Sequence, residues 1–101
     1  MEDLIVVPFN YVKEGYSCEG DYVPDARTAV ELAQAIISSA NRRGVFVGYL
    51  FGGIALDDDL GVWCVAFGLP PDEDGLVETG GCVDIYIKRS DAQILEIRPG
   101  E

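Results

Sequence analysis

Histidine is missing from this sequence altogether. Its absence removes the commonest general base, the commonest metal ligand and the usual partner of a serine or cysteine nucleophile. Positive charge is scarce as well: seven Lys and Arg stand against eighteen Asp and Glu, a formal net charge of −11. The imbalance is concentrated. Between Gly44 and Ile87 lie Asp57, Asp58, Asp59, Asp72, Glu73, Asp74, Glu78 and Asp84, without a single Lys or Arg. A field of that sign repels nucleic acid and anionic lipid and attracts basic protein surfaces. No apolar run approaches the roughly 20 residues that a membrane span needs. The opening Met1 to Val7 has no basic flank and its apolar run stops at Pro8, so it does not read as a secretory signal. A cytoplasmic protein is expected, with neither nucleic acid nor membrane among its partners.

Other absences narrow the chemistry further. The three cysteines, Cys18, Cys64 and Cys82, form no C-x-x-C pair, and an odd count predicts free thiols. Cys64 and Cys82 lie in apolar strand patterns and are expected in the core, with Cys18 in a polar loop. Gly52-Gly53 and Gly80-Gly81 lack the spacing and the following helix of a phosphate-binding loop. The carboxylates of Asp57-Asp58-Asp59 diverge along the backbone and match no calcium-loop pattern, so no metal and no cofactor are expected. A carboxylate and a tyrosine can do acid–base work without histidine. Asp84 and Tyr86 are the candidates, but strand alternation puts them on an outer face, and the protein is not expected to be an enzyme.

The length supports one domain, residues 1–101. Leu4 to Val7 reads as a short first strand ended by Pro8, and Asn10 to Tyr22 as an ordered connector. Pro24-Asp25 opens the principal helix, with Asp25 as N-cap and Thr28-x-x-Glu31 as a second capping register. Ala29, Ala33, Ile36, Ile37 and Ala40 recur at helical spacing as one apolar stripe. Asn41-Arg42-Arg43-Gly44 ends it, with cations at the negative pole and a glycine free to turn left-handed. After Gly44 the period falls to two. Val45 to Phe51 reads as a strand interrupted at Gly52-Gly53, Ile54 to Leu56 as its continuation, and Asp57-Asp58-Asp59 as a turn. Val62 to Leu69 has no strongly polar side and is expected to be central and covered on both faces. Cys82 to Lys88 alternates, with Val83, Ile85 and Ile87 inward and Asp84, Tyr86 and Lys88 outward; Ile94 to Arg98 pairs back on it as a hairpin. The predicted class is α+β, one principal helix packed on a curved antiparallel sheet.

Several segments in order resemble a known family. Tyr22-Val23-Pro24-Asp25-x-x-Thr28-Ala29-x-x-x-Ala33 is similar to the helix entry of bacterial polymorphic-toxin immunity proteins with a nuclear-transport-factor-2-like fold. Gly61-Val62-Trp63-x-Val65, Leu69-Pro70, Gly80-Gly81-x-Val83-x-Ile85-x-Ile87 and Ser90-Asp91-x-x-Ile94-Leu95 follow in the family's order. The resemblance spans residues 22–100. Ala92 stands where the family usually has glycine in the last turn, and Tyr49 to Asp59 departs from the family's pattern. The resemblance implies a cone-shaped domain that binds the toxin domain encoded beside it and blocks its active site or its access to target.

The expected function is therefore neutralisation of a cognate toxin or effector domain with a basic surface, by occlusion. The expected contacts are Asp57, Asp58, Asp59, Asp72, Glu73 and Asp74, which would steer the encounter, with Tyr49 and Tyr86 as anchors. The plain alternative for the acids is solubility, and for the tyrosines ordinary sheet packing. Two other functions fit the same composition. One is a small-ligand pocket protein or enzyme of the same fold, with Trp63 and Phe67 lining a cavity; the other is an acidic nucleic-acid mimic that inhibits a DNA-binding enzyme.

Overall fold

The structure, a computed structural model, describes residues 4–15, 20–70 and 81–100. It consists of helix α1 (Ala26–Arg42) followed by strands β1 (Leu50–Asp57), β2 (Val62–Gly68), β3 (Cys82–Lys88) and β4 (Ile94–Pro99). All neighbouring strands pair antiparallel, in the order β1-β2-β3-β4. The protein is thus α+β, one helix against a four-stranded antiparallel meander.

The helix starts and stops where its local chemistry dictates. The Asp25 carboxylate accepts the Thr28 N–H at 2.8 Å, satisfying one of the donors that the first helical turn leaves unpaired. At the other end the Gly44 N–H donates to Asn41 O and the Val45 N–H to Ala40 O, with Gly44 at φ +78°. This pair of bonds closes the last turn, and its left-handed residue favours glycine. Ala29, Ala33, Ile37 and Ala40 are buried, and Ile36 packs at the margin of the core. Small residues at 29, 33 and 40 let the helix lie close to the sheet.

Against that stripe the strands present Trp63, Val65 and Phe67 from β2 and Val83, Ile85 and Ile87 from β3, each at most 8% exposed. The Trp63 indole N–H donates to Val23 O at 2.8 Å, which fastens the chain just before α1 to the central strand. Strand β1 joins the same face through a β-bulge. Phe51 pairs with Phe67, Gly53 with Ala66 and Ile54 with Val65, leaving Gly52 unpaired. The extra residue shifts the phase, so Phe51 and Ile54, three apart, both turn toward the helix.

Four expectations are corrected. Leu4 to Val7 forms no strand; Leu4 to Gly15 is exposed chain without regular structure, and no described residue pairs with it. The first strand begins at Leu50 and runs through Gly52-Gly53, and residues 45–48 are turns. Strand β2 is central but covered on one face only. Val62, Cys64 and Ala66 are half-exposed on the far side, and Cys82 at the head of β3 is exposed, so neither Cys64 nor Cys82 is in the core. Cys18 lies outside the described residues.

Candidate functional site: the open face of the sheet

Among the described residues no layer lies over the face of the sheet turned away from α1. Tyr86 stands near its centre, across from Cys64 on β2 and Glu96 on β4 in the strand register. A second bulge shapes this face. Ile87 pairs with Ile94 and Tyr86 with Glu96, so Leu95 is the extra residue on β4. Around these side chains lies a shallow open groove with a volume of about 680 Å³. Its floor is Ala55, Val62, Cys64, Tyr86 and Leu95, and its rim carries Asp57, Asp58, Leu60 and Glu96.

The rim is built by the β1–β2 turn. The Asp57 carboxylate accepts the Leu60 N–H at 3.0 Å while its carbonyl accepts the Gly61 N–H at 2.8 Å. Gly61 sits at φ +66°, a left-handed position suited to glycine. Asp58 extends outward and pairs with Arg89 at 3.1 Å. Arg89 also reaches Asp21 at 3.4 Å, and its backbone N–H donates to Gly61 O at 2.8 Å. One guanidinium thus ties the β1–β2 turn to the chain that leads into α1. Asp59 is exposed, with no partner among the described residues, and borders a smaller cleft with Asp21, Lys88 and Arg89.

On the far side of the groove Arg98 is held by Glu96 through two hydrogen bonds of 2.8 and 2.9 Å. Its guanidinium carbon lies 5.0 Å from the Tyr86 ring centroid, and Nη1 donates to the tyrosine hydroxyl at 3.4 Å. These contacts set the local ionisation. The Arg98 hydrogen bonds hold the Glu96 carboxyl below the usual carboxylate range. Burial, reinforced by Asp84, pushes the Cys64 thiol up, and burial with the neighbouring Cys64 does the same for the Tyr86 phenol. Raised values keep the thiol and the phenol protonated at neutral pH, as polar contacts rather than nucleophiles.

The expected site residues therefore separate. Asp57, Asp58 and Tyr86 come together around one groove, with Asp59 on the outer side of the same turn. Tyr49 does not join them: at the opposite end of β1 it packs on the core margin with its ring 5.2 Å from Phe46. Asp72, Glu73 and Asp74 lie outside the described residues. Trp63 and Phe67 are in the helix-side core and line neither this groove nor the smaller cleft beside Asp59. Sequence reasoning missed Arg89, Leu95, Glu96 and Arg98. Lys88-Arg89, the first bases after the acid block, was the signal for Arg89. The adjacent apolar pair Ile94-Leu95 in an alternating strand was the signal for a bulge.

Among the described residues no three carboxylates or thiols converge as metal ligands, and no helix is long and apolar enough to cross a membrane. Compared with known families, curated proteins and solved structures, the chain matches none.

Proposed function

We propose that the protein is an immunity-type inhibitor that binds a toxin or effector domain with a basic surface and blocks it by occlusion, in the cytoplasm of the producing cell. The observation that carries this reading is the open sheet face, where an acidic turn overhangs an apolar groove with Tyr86 on its floor. Charged rims set the rate and direction of encounter, while desolvated aromatic and aliphatic side chains supply most of the affinity. Asp58 and Asp59 provide the first; Tyr86, Val62 and Leu95 provide the second. The ordered likeness of residues 22–100 to polymorphic-toxin immunity proteins with a nuclear-transport-factor-2-like fold supports the same reading and supplies the class of partner.

Co-expression with the toxin domain encoded beside this protein tests the proposal. Restored growth with that toxin, and not with unrelated ones, is expected; continued killing in the presence of folded protein contradicts it. The groove itself favours a second reading, since its volume falls within the roughly 300–1,000 Å³ typical of ligand sites. A thermal-shift screen with small apolar metabolites separates the two, because a protein-binding face gives no stabilisation there.

A further inference from the structure

The groove on the open face crosses every strand of the sheet. Ala55, Cys64, Tyr86 and Glu96 are register partners on β1, β2, β3 and β4, so they form one row from edge to edge. Three strand spacings of about 4.8 Å make that row about 14 Å long. Carboxylates stand at both of its ends, Asp57 and Asp58 beside β1 and Glu96 on β4. Between them the floor is apolar and aromatic, and among the described residues no Lys or Arg lines it.

These groups already bind cations within the chain. Glu96 grips the Arg98 guanidinium through two hydrogen bonds, and that guanidinium lies 5.0 Å from the Tyr86 ring centroid. Asp58 holds Arg89 at 3.1 Å, yet its own side chain is 83% exposed. A carboxylate offers roughly four lone-pair sites, so each of these acids has room for a second cation arriving from solvent.

We propose that the groove receives an extended segment of a protein partner in which two basic side chains, four residues apart, flank an apolar one. In an extended chain alternate side chains share one side, and positions i and i+4 are about 14 Å apart, the length of the row. The two cations meet the acids at its ends while the middle side chain covers Tyr86 and Leu95. A helix does not fit this pattern, since residues four apart rise only about 6 Å along its axis. Charge complementarity selects the occupant: a basic segment is drawn in by the chain's net charge of −11, and an acidic one is repelled. The inference deepens the proposed function. It rests on the open face being the binding face, and not on the partner being a toxin.

The test titrates the full, isotope-labelled chain with the end-blocked peptide Arg-Thr-Leu-Thr-Arg and follows the backbone amides by NMR. Saturating shifts at Cys64, Tyr86 and Glu96 in the millimolar range are expected, weakening as salt rises. Asp58→Asn/Glu96→Gln should bind at least about threefold more weakly. Both side chains are exposed, so the variant keeps the fold, which its spectrum verifies. The peptide Thr-Arg-Leu-Arg-Thr has the same composition and charge but puts its arginines on the side opposite its leucine, and it should bind more weakly too. No shifts, or shifts away from the groove, overturn the proposal. So does equal binding by the variant, which removes the acids, or by the second peptide, which removes the spacing. Neither peptide comes from a toxin. Groove binding alongside failed protection on co-expression therefore rejects the toxin reading and supports this site, whereas protection without groove shifts rejects the proposed segment alone.

Discussion

Strands β2 and β3 show two chemistries on alternate residues. Toward α1 they place Trp63, Val65, Phe67, Val83, Ile85 and Ile87, all nearly or fully buried. Away from it they place Val62, Cys64 and Ala66, then Asp84, Tyr86 and Lys88, all half-exposed. The charged members of this stretch are on the second face, and its apolar members are small or end in a polar group. The helix-side face supplies cohesion, with side chains that a single unpaired charge would disrupt. The open face contributes less to stability and so is free to hold charge, an aromatic ring and a groove. This division allows the open face to vary in sequence without unfolding the domain.

Adjacent substitutions should expose the contrast most strongly. Val65→Asp or Ile37→Asp places an unpaired carboxylate in the core and is expected to cost at least about 4 kcal/mol, enough to abolish cooperative unfolding in a small domain. Ala66→Asp, one residue along on the open face, is expected to cost no more than about 1 kcal/mol by chemical denaturation. Equal losses would show that both faces are packed. Truncation gives a milder version: Ile85→Ala should lose about 2–5 kcal/mol through the cavity it leaves, while Cys64→Ala changes stability little.

Smaller effects belong to the devices that join the faces. Arg89→Met removes both ion pairs that connect the β1–β2 turn to the chain before α1. Half-exposed pairs of this kind contribute at most about 1 kcal/mol, and their contribution shrinks in salt. Ala92 sits at φ +66°, a left-handed conformation that costs an L-residue roughly 1–2 kcal/mol. Ala92→Gly should relieve that strain at the expense of a freer unfolded chain, for a net gain of about 0.5–1 kcal/mol seen as a higher melting temperature.

Protonation supplies the gentlest probe. The Thr28 hydrogen bonds hold the Asp25 carboxyl below its ordinary value, and Arg98 does the same for Glu96. A depressed folded-state pKa gives stability that is present above the usual carboxylate range and lost as pH falls through the lowered value. The melting temperature should therefore fall on acidification below that range, and Asp25→Asn should flatten the profile. A profile unchanged by that substitution would remove Asp25 from the account.

Much of the fold was legible where its determinants are local. The helix follows from a 3.6-residue stripe, Asp25 and Gly44, and β3 from strict alternation between Val83 and Ile87. What escaped depends on distant partners. Leu4 to Val7 has strand composition, but a strand needs a neighbour to bond, and no neighbour is written in the segment itself. The phase of β1 was hidden because the bulge at Gly52 breaks the period that sequence reading relies on. Strand β2 looked doubly covered because Val62, Cys64 and Ala66 are not charged, although a small side chain on a half-exposed face needs no cover. At the site, the acidic turn and Tyr86 were recognisable by residue type. Their common groove was not, since it also depends on Leu95 at a second bulge and on Arg89 holding the turn.

We propose that the open face receives the partner and that its acidic turn guides the encounter. The most direct test is the association rate of the proposed partner, a toxin domain encoded beside this protein, with Asp58→Asn/Asp59→Asn, measured across a salt series. Asp57 stays intact because its carboxylate holds the turn. Steering weakens as the Debye length falls from about 10 Å at 0.1 M salt to about 3 Å at 1 M. The variant should associate several-fold more slowly at low salt, with a flatter salt dependence and an unchanged circular dichroism spectrum. A rate and salt slope equal to those of the unsubstituted protein would contradict the claim and place the binding surface elsewhere.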